Sequence, residues 1–492
     1  MSGRVLIIDL NNFGHYPTLS VGYLTAILRQ EGYEVELLSP LAQGLAGVTR
    51  EPEVKPWSGI DHYVRYYTAT SSSAWLRRLY QRIVDYMRSP LSRNMDEMGE
   101  SVAGALRQGK YDAVLVSTYL IYRPLCKLIG EACQAQNIPL LIGGAYFSQP
   151  EVVDNWVHMS GVTGLVSGEV EPQIPAIMDC LISGGDLTQF TGLWTSKGGA
   201  FAPPLVDLDQ VPFPDFTDFP WEQYKNRIVP VLTGRGCGWG VCTFCSDVVS
   251  TAGRSFRSRS VDNVWAEIEQ QAERHQADLF VFTDLKLNSN PEMWTGLIER
   301  FQKHMPGSRW ISSVHVGRRE AETLSAEQLR AAHEAGLVRI TTGLESGSQN
   351  ILNSMRKGTD LGLTSRFLKA ADGAGISVRT TMIMGYPGET AEDLAETIDF
   401  VAEHAQYIER IALNRFQLMT GTPIHRDLSQ NSNKYEDIYS VEANHALAQL
   451  GHQSSQHAQR DYRGEVWRLI QLVQKINRRP LKPVAQPFLG VM

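Results

Sequence analysis

Thr233-Gly-Arg-Gly-Cys237-Gly-Trp-Gly-Val-Cys242-Thr-Phe-Cys245 places three of the chain's six cysteines within nine residues. The run before it, Val229 to Leu232, reads as a short strand, so the three thiols leave a strand end on one loop. Three thiolates can ligate three irons of a four-iron cubane and leave the fourth iron open, whereas four donors would satisfy a structural cluster or a zinc ion. Spacing alone leaves a second reading open, a zinc site completed by a distant His or Cys. The glycines around Cys237 let the loop curl tightly, and Trp239 and Phe244 are placed to shield a cluster from solvent. Cys126, Cys133 and Cys180 are scattered, which suits ordinary buried thiols better than a disulfide framework.

Outward from this loop the chain alternates strands and helices, an α/β pattern. Downstream, candidate strands are Leu279 to Thr283, Trp310 to Ser313, Val338 to Thr342, Ser377 to Met384 and Arg410 to Phe416, each preceded by a helical stretch. With Val229 to Leu232 they predict a partial (β/α)6 barrel over residues 228–427. Upstream, Arg4 to Leu10 is a strand and Leu19 to Arg29 has helical spacing, ended by Gly32 before a strand at Tyr33 to Leu38. Strands at Ala113 to Ser117, Pro139 to Ile142 and Val162 to Val166, with a helix at Leu125 to Gln136, complete a Rossmann-like layer over 1–185. Within it, residues 42–100 carry Tyr63, Tyr66, Tyr67, Trp75 and Tyr80 with little strand periodicity, and read as a helical insertion or lid. Residues 186–227, with five prolines, read as a connector, and 428–492 as a polar, helical C-terminal region whose His445, His452 and His457 are expected to be exposed.

A chain of 492 residues exceeds what one core usually supports. Its 43% apolar and 20% charged composition is that of a globular protein, and a net charge of -7 offers no general cationic surface, so nucleic acid is not an expected partner. Val5 to Leu10 is too short for a signal peptide and no run of 18 apolar residues follows, so no transmembrane segment and a cytoplasmic location are expected.

The motifs behind the cysteines, in their order and spacing, resemble the radical S-adenosylmethionine (SAM) superfamily, in particular its branch with an N-terminal cobalamin-binding-like domain, over roughly residues 3 to 425. The family pattern has three residues between its first two cysteines; here there are four, Gly238 to Val241, a loop expansion that keeps every ligand. The resemblance implies a [4Fe–4S] cluster on Cys237, Cys242 and Cys245. Phe280-Val-Phe-Thr-Asp284 is similar to the second barrel strand, which implies that Asp284, with Lys286 and Asn288, lies near the methionine of SAM. Gly343-Leu-Glu345-Ser346-Gly347 resembles the fourth-strand motif, implying Glu345 and Ser346 near SAM, although Glu345 could equally cap the next helix. Met384-Gly385-Tyr386-Pro-Gly-Glu389-Thr390 resembles the fifth-strand motif under the adenine, with Gly385 allowing close approach, and Gly421-Thr-Pro423 matches the end of the sixth strand. In Arg254-Ser-Phe-Arg257-Ser-Arg259-Ser260, arginines including Arg257 could reach the SAM carboxylate or the chain's own acidic groups.

For the first domain the resemblance implies cobalamin at the carboxyl strand ends, admitted by Ser117, by Gly143 and Gly144, and by Gly168 and Glu169. Gly143 to Phe147 resembles the branch's Gly-Gly turn, and Ser167 to Glu171 its Gly-Glu-Gly-Glu segment with Val170 in place of the second glycine. Pro17 to Leu24 resembles the start of the branch's first helix. The Asp-x-His-x-x-Gly signature is absent, so no histidine is expected beneath the cobalt, and His15 reads as a polar loop residue. The implied activity is reductive cleavage of SAM to a 5′-deoxyadenosyl radical and methylation of an unactivated carbon in a small metabolite, lipid or tetrapyrrole, with an external one-electron reductant such as flavodoxin or ferredoxin. Rearrangement or cyclisation without methyl transfer, cobalamin-free radical chemistry, and a non-catalytic Fe–S or zinc scaffold are the alternatives. Tyr386 and His315 are candidate catalytic residues at the barrel mouth, each with packing as an equal alternative.

Overall fold

Short runs of branched and aromatic residues become two sheets in the computed structural model, which describes residues 3–51, 54–71, 73, 75–79, 82–83, 94–246, 256–430 and 438–491. Tyr80 and Arg254 lie outside the described residues. The first sheet holds β1 (Arg4–Asp9), β2 (Glu34–Leu38), β3 (Ala113–Ser117), β4 (Leu140–Gly143), β5 (Gly164–Val166), β6 (Leu193–Thr195) and β7 (Gly198–Gly199), in the order β2-β1-β3-β4-β5-β6-β7. β1 to β5 are parallel, with Val5 beside both Val35 and Ala113. β6 and β7 extend the sheet antiparallel, so the expected connector at 186–227 begins inside it. Strands of two and three residues are too short to display a period of two, which is why the prolines dominated that reading.

The second sheet is wholly parallel. In chain order the next strands are β8 (Ile228–Val231), β9 (Gly234–Arg235), β10 (Arg257–Ser258), β11 (Leu279–Phe282), β12 (Arg309–Val314), β13 (Leu337–Glu345), β14 (Ser377–Met384) and β15 (Arg410–Arg415). Six of these line up as β15-β14-β13-β12-β11-β8, while β9 and β10 form a separate antiparallel ribbon on either side of the cysteine loop. The crossover helices start on side-chain caps: Ser260, Asn290, Ser325, Asp360 and Thr390 each accept a backbone N–H of the first turn. The first half of the chain uses proline in the first turn instead, at Pro124, Pro150 and Pro175.

Beyond the second sheet the expected helical region is part sheet. β16 (Leu418–Met419), β17 (Ile438–Asn444) and β18 (Gln449–Ser454) make a three-stranded antiparallel sheet before the helix Arg460–Asn477. His445 is exposed as expected, but His452 and His457 are each only 6% exposed. Polar neighbours in sequence misled that expectation, because the rings are covered from elsewhere: Phe416 lies 5.0 Å from His452, and Tyr66 and Tyr462 lie 5.7 and 6.0 Å from His457. Tyr66 comes from the insertion, whose helix Ser58–Ala69 packs on Arg460–Asn477, with Tyr63 edge-on to Trp467 at 5.1 Å.

A small apolar cluster joins distant parts of the chain. Tyr16 from the loop after β1, and Phe488 and Val491, pack with Ile228, Leu279, Val281 and Ile311 on the face of the second sheet turned away from its helices. Beside it Glu51 receives two hydrogen bonds from Arg339, at 3.0 and 3.1 Å, and an ion pair from Arg410 at 2.8 Å. No helix among the described residues is long and apolar enough to cross a membrane.

Candidate functional site

The loop bearing Cys237, Cys242 and Cys245 leaves the carboxyl end of β8, and the end of β11 holds its root. Asp284 accepts hydrogen bonds from Thr233 N (3.1 Å), Thr233 Oγ1 (2.8 Å) and Gly234 N (2.8 Å). Burial pushes the Asp284 carboxyl up to about 6, with those bonds working against the rise. Its oxygens are therefore engaged by the loop rather than turned to a ligand. Asn288 likewise brackets the backbone of His315, donating to its carbonyl and accepting its N–H, both at 2.9 Å.

Further along, Thr243 is fixed from three sides. Its N–H donates to Met355 O at 2.9 Å, its hydroxyl lies 2.7 Å from the Tyr386 hydroxyl, and its carbonyl accepts from Ile424 N at 3.0 Å. Tyr386, 2% exposed, thus helps to position the loop, in keeping with the packing alternative stated for it. Trp239 donates to Arg356 O at 2.8 Å and lies against Gly358, where a Cβ would come within 2.5 Å of the indole.

The three thiols are half-buried. Among the described residues no three Cys, His, Asp or Glu side chains draw in to a single-ion shell. A cubane places its thiolates on separate irons, so a donor set of three thiols alone on one glycine-flanked loop fits a cluster with one open iron. Burial raises the Cys242 thiol, and the ammonium of Lys357 opposes that rise. Lys357 was not singled out from the sequence. It donates to Glu345 Oε1 at 3.1 Å, and although burial works against its charge, Glu345 and the Cys242 and Cys245 thiols hold it above the ordinary lysine range. Glu345 also accepts from Thr381 Oγ1 at 3.2 Å and sits at φ +62°, a left-handed conformation uncommon for a residue with a Cβ. Glu345 therefore does not cap the following helix. His315, half-buried beside this pair, is pushed down to about 3 by burial and then by the charges of Lys357 and Lys286, which leaves it neutral.

Ser346 turns the other way, its hydroxyl 3.1 Å from Thr397 Oγ1 in a network 1% exposed. Gly385 adopts φ +81°, and its N–H donates to Glu389 at 2.7 Å; Tyr462 donates to the same oxygen at 2.8 Å. Burial pushes Glu389 up to about 7.

Two residues expected at different cofactors meet each other. Arg257 forms a two-pronged bond with Glu169, at 2.7 and 2.9 Å, and donates to Leu205 O at 2.7 Å. Arg235 adds ion pairs to Glu169 at 3.3 Å and Glu171 at 2.8 Å. Burial would raise Glu169, but these arginines hold it below the usual carboxylate range. The β9–β10 ribbon beside the cysteine loop is thereby clamped to the first sheet. Of the two partners expected for Arg257, the structure pairs it with one of the chain's own acidic groups, Glu169, the fork of one matching the carboxylate of the other.

At the first sheet's carboxyl edge, Ser117 Oγ accepts from Asn11 at 2.9 Å and lies 3.2 Å from Ser20 Oγ. Asp9 beneath them is pushed up to about 6 by burial, against hydrogen bonds from Thr18 and Asn11. A Cβ on Gly143 would meet its nearest neighbour only at 3.7 Å, whereas one on Gly144 would stand 2.4 Å from Thr118 O. Gly143 would thus take a Cβ in ordinary contact, and its lack of one leaves that much space at the edge, while Gly144 serves packing. Gly168, at φ +94°, turns the chain after β5 toward Glu169. His15 is half-buried, its Nε2 3.3 Å from Thr49 Oγ1.

Residues 231–401 match the Radical SAM superfamily. The chain is similar to an uncharacterized methyltransferase of Pyrococcus horikoshii, 26% identical over 274 residues, a stretch that spans 54% of this chain and 58% of that protein. It is also similar to the cytidylyl-2-hydroxyethylphosphonate methyltransferase of Streptomyces wedmorensis, 23% identical, with 79% of this chain and 73% of the relative covered. Among solved structures, TsrM from Kitasatospora setae, with cobalamin and a [4Fe–4S] cluster bound, superposes with a TM-score of 0.66 over 90% of this chain and 81% of its own at 18% identity. The cobalamin-dependent enzyme OxsB, with aqua-cobalamin and SAM bound, gives 0.66 over 92% and 64% at 16% identity. The chain therefore carries a radical SAM domain, residues 231–401, within the fold of cobalamin-binding radical SAM enzymes.

Proposed function

We propose that the chain is a radical SAM enzyme and, more narrowly, a cobalamin-dependent C-methyltransferase acting on an unactivated carbon of a small molecule, lipid or tetrapyrrole. The observation that carries the reading is the three-thiol loop rooted on Asp284 and clamped, through Arg257 and Glu169, to the glycine-lined edge of a second α/β layer. In this reading residues 1–185 are the cobalamin-type domain with its insertion at 42–100, residues 228–427 the partial barrel, and 428–492 a C-terminal region. Cys237, Cys242 and Cys245 would hold the cluster, and the open edge at Gly143 would admit the corrin. Bound there, the two groups supply one-electron cleavage of SAM and a transferable methyl group.

The chain's own residues orient and shield. Asp284, Tyr386 and Trp239 hold the cysteine loop in one conformation, and Lys357 balances the negative charge of the thiolates beside it. Phe244, 5.9 Å beneath the Lys357 ammonium, covers the loop's flank and keeps water from it. His315 stays neutral at physiological pH, so it acts as an acceptor or a neutral donor, never as a standing cation. Two methyltransferases among the relatives support the narrower reading.

The test is anaerobic reconstitution with iron, sulfide and hydroxocobalamin, followed by metal counts and assay with SAM and a strong reductant. About four irons and one cobalt per chain, 5′-deoxyadenosine release and S-adenosylhomocysteine from cobalamin methylation are expected. Four irons without cobalt would overturn the cobalamin reading, and a full cluster without SAM cleavage would overturn both.

A further inference from the structure

Arg379 is a charged residue in the middle of β14, a strand otherwise made of small, branched and apolar side chains. Val378, Met382 and Met384 pack with Phe367, Leu368 and Leu394 of the covering helices. By the period of two, Arg379 and Thr381 point to the opposite, inner face, where Thr381 reaches Glu345. Interior positions of such barrels are usually filled by branched apolar side chains. Here the register lines up Ser313, Thr341 and Arg379 across three adjacent strands.

Among the described residues no carboxylate forms an ion pair with the guanidinium, although Glu51 lies near enough to favour its charge. Arg379 is 8% exposed, yet among the described residues no hydrogen bond or ion pair involves it. The nearby carboxylate, Glu51, is already shared by Arg339 and Arg410, so among the described residues the guanidiniums here outnumber the carboxylates. Burial, and then the neighbouring charge of Arg339, press Arg379 down to about 10, a sign that it is poorly compensated. Directly across the register the hydroxyl of Thr341 is also buried without a partner. Leaving a buried hydroxyl unmatched is costly in general, and leaving a buried cation unmatched more so. Both groups lie about 7 Å, two residues of strand, from the layer of Thr381.

We propose that Arg379 and Thr341 bind an oxyanion of the substrate, a carboxylate or phosphonate, and so select anionic substrates. The proposal rests on the reading of this face as the interior of a radical SAM barrel. It fixes one end of the substrate deep in the barrel and leaves the opposite end toward the cysteine loop.

The experiment titrates reconstituted holoenzyme, saturated with SAM, with methylphosphonate and with acetate by calorimetry. Wild-type protein is expected to bind at least one of them; Arg379→Gln should weaken that binding about tenfold or more, and Thr341→Val, which keeps shape and charge, several-fold. Arg379→Lys, which keeps the charge but loses the fork, should fall between. The proposal is overturned if wild type binds neither anion, if Arg379→Gln and Thr341→Val bind as wild type does, or if Arg379→Gln instead weakens SAM itself, which would assign the guanidinium to the SAM carboxylate. Wild-type release of 5′-deoxyadenosine, measured alongside, separates the two claims: cleavage without anion binding sinks the oxyanion site alone, and Arg379-dependent anion binding without cleavage sinks the enzymatic reading alone.

Discussion

At the carboxyl edge of the second sheet, buried ionisable groups crowd the cysteine loop: Asp284 at its root, and Glu345 and Lys357 beside Cys242. The same edge of the first sheet offers hydroxyls, an amide and glycines above one raised carboxyl, Asp9. The difference matches the ligands each edge would face. A zwitterionic cofactor and a thiolate-bound cluster need fixed charges to hold orientation, whereas a large neutral ring needs a smooth surface and space.

The largest effect that could break this comparison is loss of a cysteine. Replacing Cys237, Cys242 or Cys245 by Ser should remove essentially all iron and all SAM cleavage, while Cys180→Ser should leave both, as counted by iron analysis. Next is Lys357→Met, which leaves Glu345 buried without its cation: the side chains are 12% and 7% exposed, so a loss of about 3–5 kcal/mol in denaturant unfolding is expected. Adding Glu345→Gln should recover part of it; equal stability of the single variant and wild type would mean that the charged edge is decoration. On the first edge, Gly144→Ala should cost about 1–3 kcal/mol, because its Cβ would press on Thr118 O at 2.4 Å. Gly143→Ala should leave apo stability unchanged and lower cobalt retention, and if cobalt retention does not fall, the edge at Gly143 is not the corrin site.

The smallest effect is in pH. His452 and His457 are pushed down to about 3 and 4 by burial, so they stay neutral in the folded chain while the unfolded chain protonates near 6.5. The stability they contribute is present above pH 6.5 and is lost as pH falls toward 4. His452→Gln should flatten that part of a stability profile. Glu389, pushed up to about 7, works oppositely, costing stability as pH rises from 4.5 to 7, and Glu389→Gln should remove that slope.

The sheets were legible in the chain because their strands are bounded by glycine and polar turns, as at Gly32 and around Asn11. The strands Ala113 to Ser117 and Ser377 to Met384 were read to the residue, and the other parallel strands to within two, except that the strand begun at Val338 runs three residues past Thr342, to Glu345. What escaped depended on partners far apart in sequence. Glu169 and Arg257 are 88 residues apart, and only the fold brings them together. Lys357 follows Glu345 by twelve positions, across a helix, with no periodicity to link them. β17 and β18 were missed because their polar residues alternate weakly and the pairing of β18 with Leu418 is tertiary. Tyr386 drew attention through its motif, yet its role emerged from Thr243, a residue no pattern marked.

Phe488 and Val491, buried against Tyr16 and the base of the second sheet, have a consequence for biosynthesis. Gly490 N–H lies 3.4 Å from Glu51, a contact spanning 439 residues. The base of the second sheet can be covered only after that segment has emerged from the ribosome, so a nascent chain halted before it would leave Ile228, Leu279, Val281 and Ile311 without Phe488 and Val491. Contacts of such range form late and slowly, and until they do these apolar side chains stay exposed.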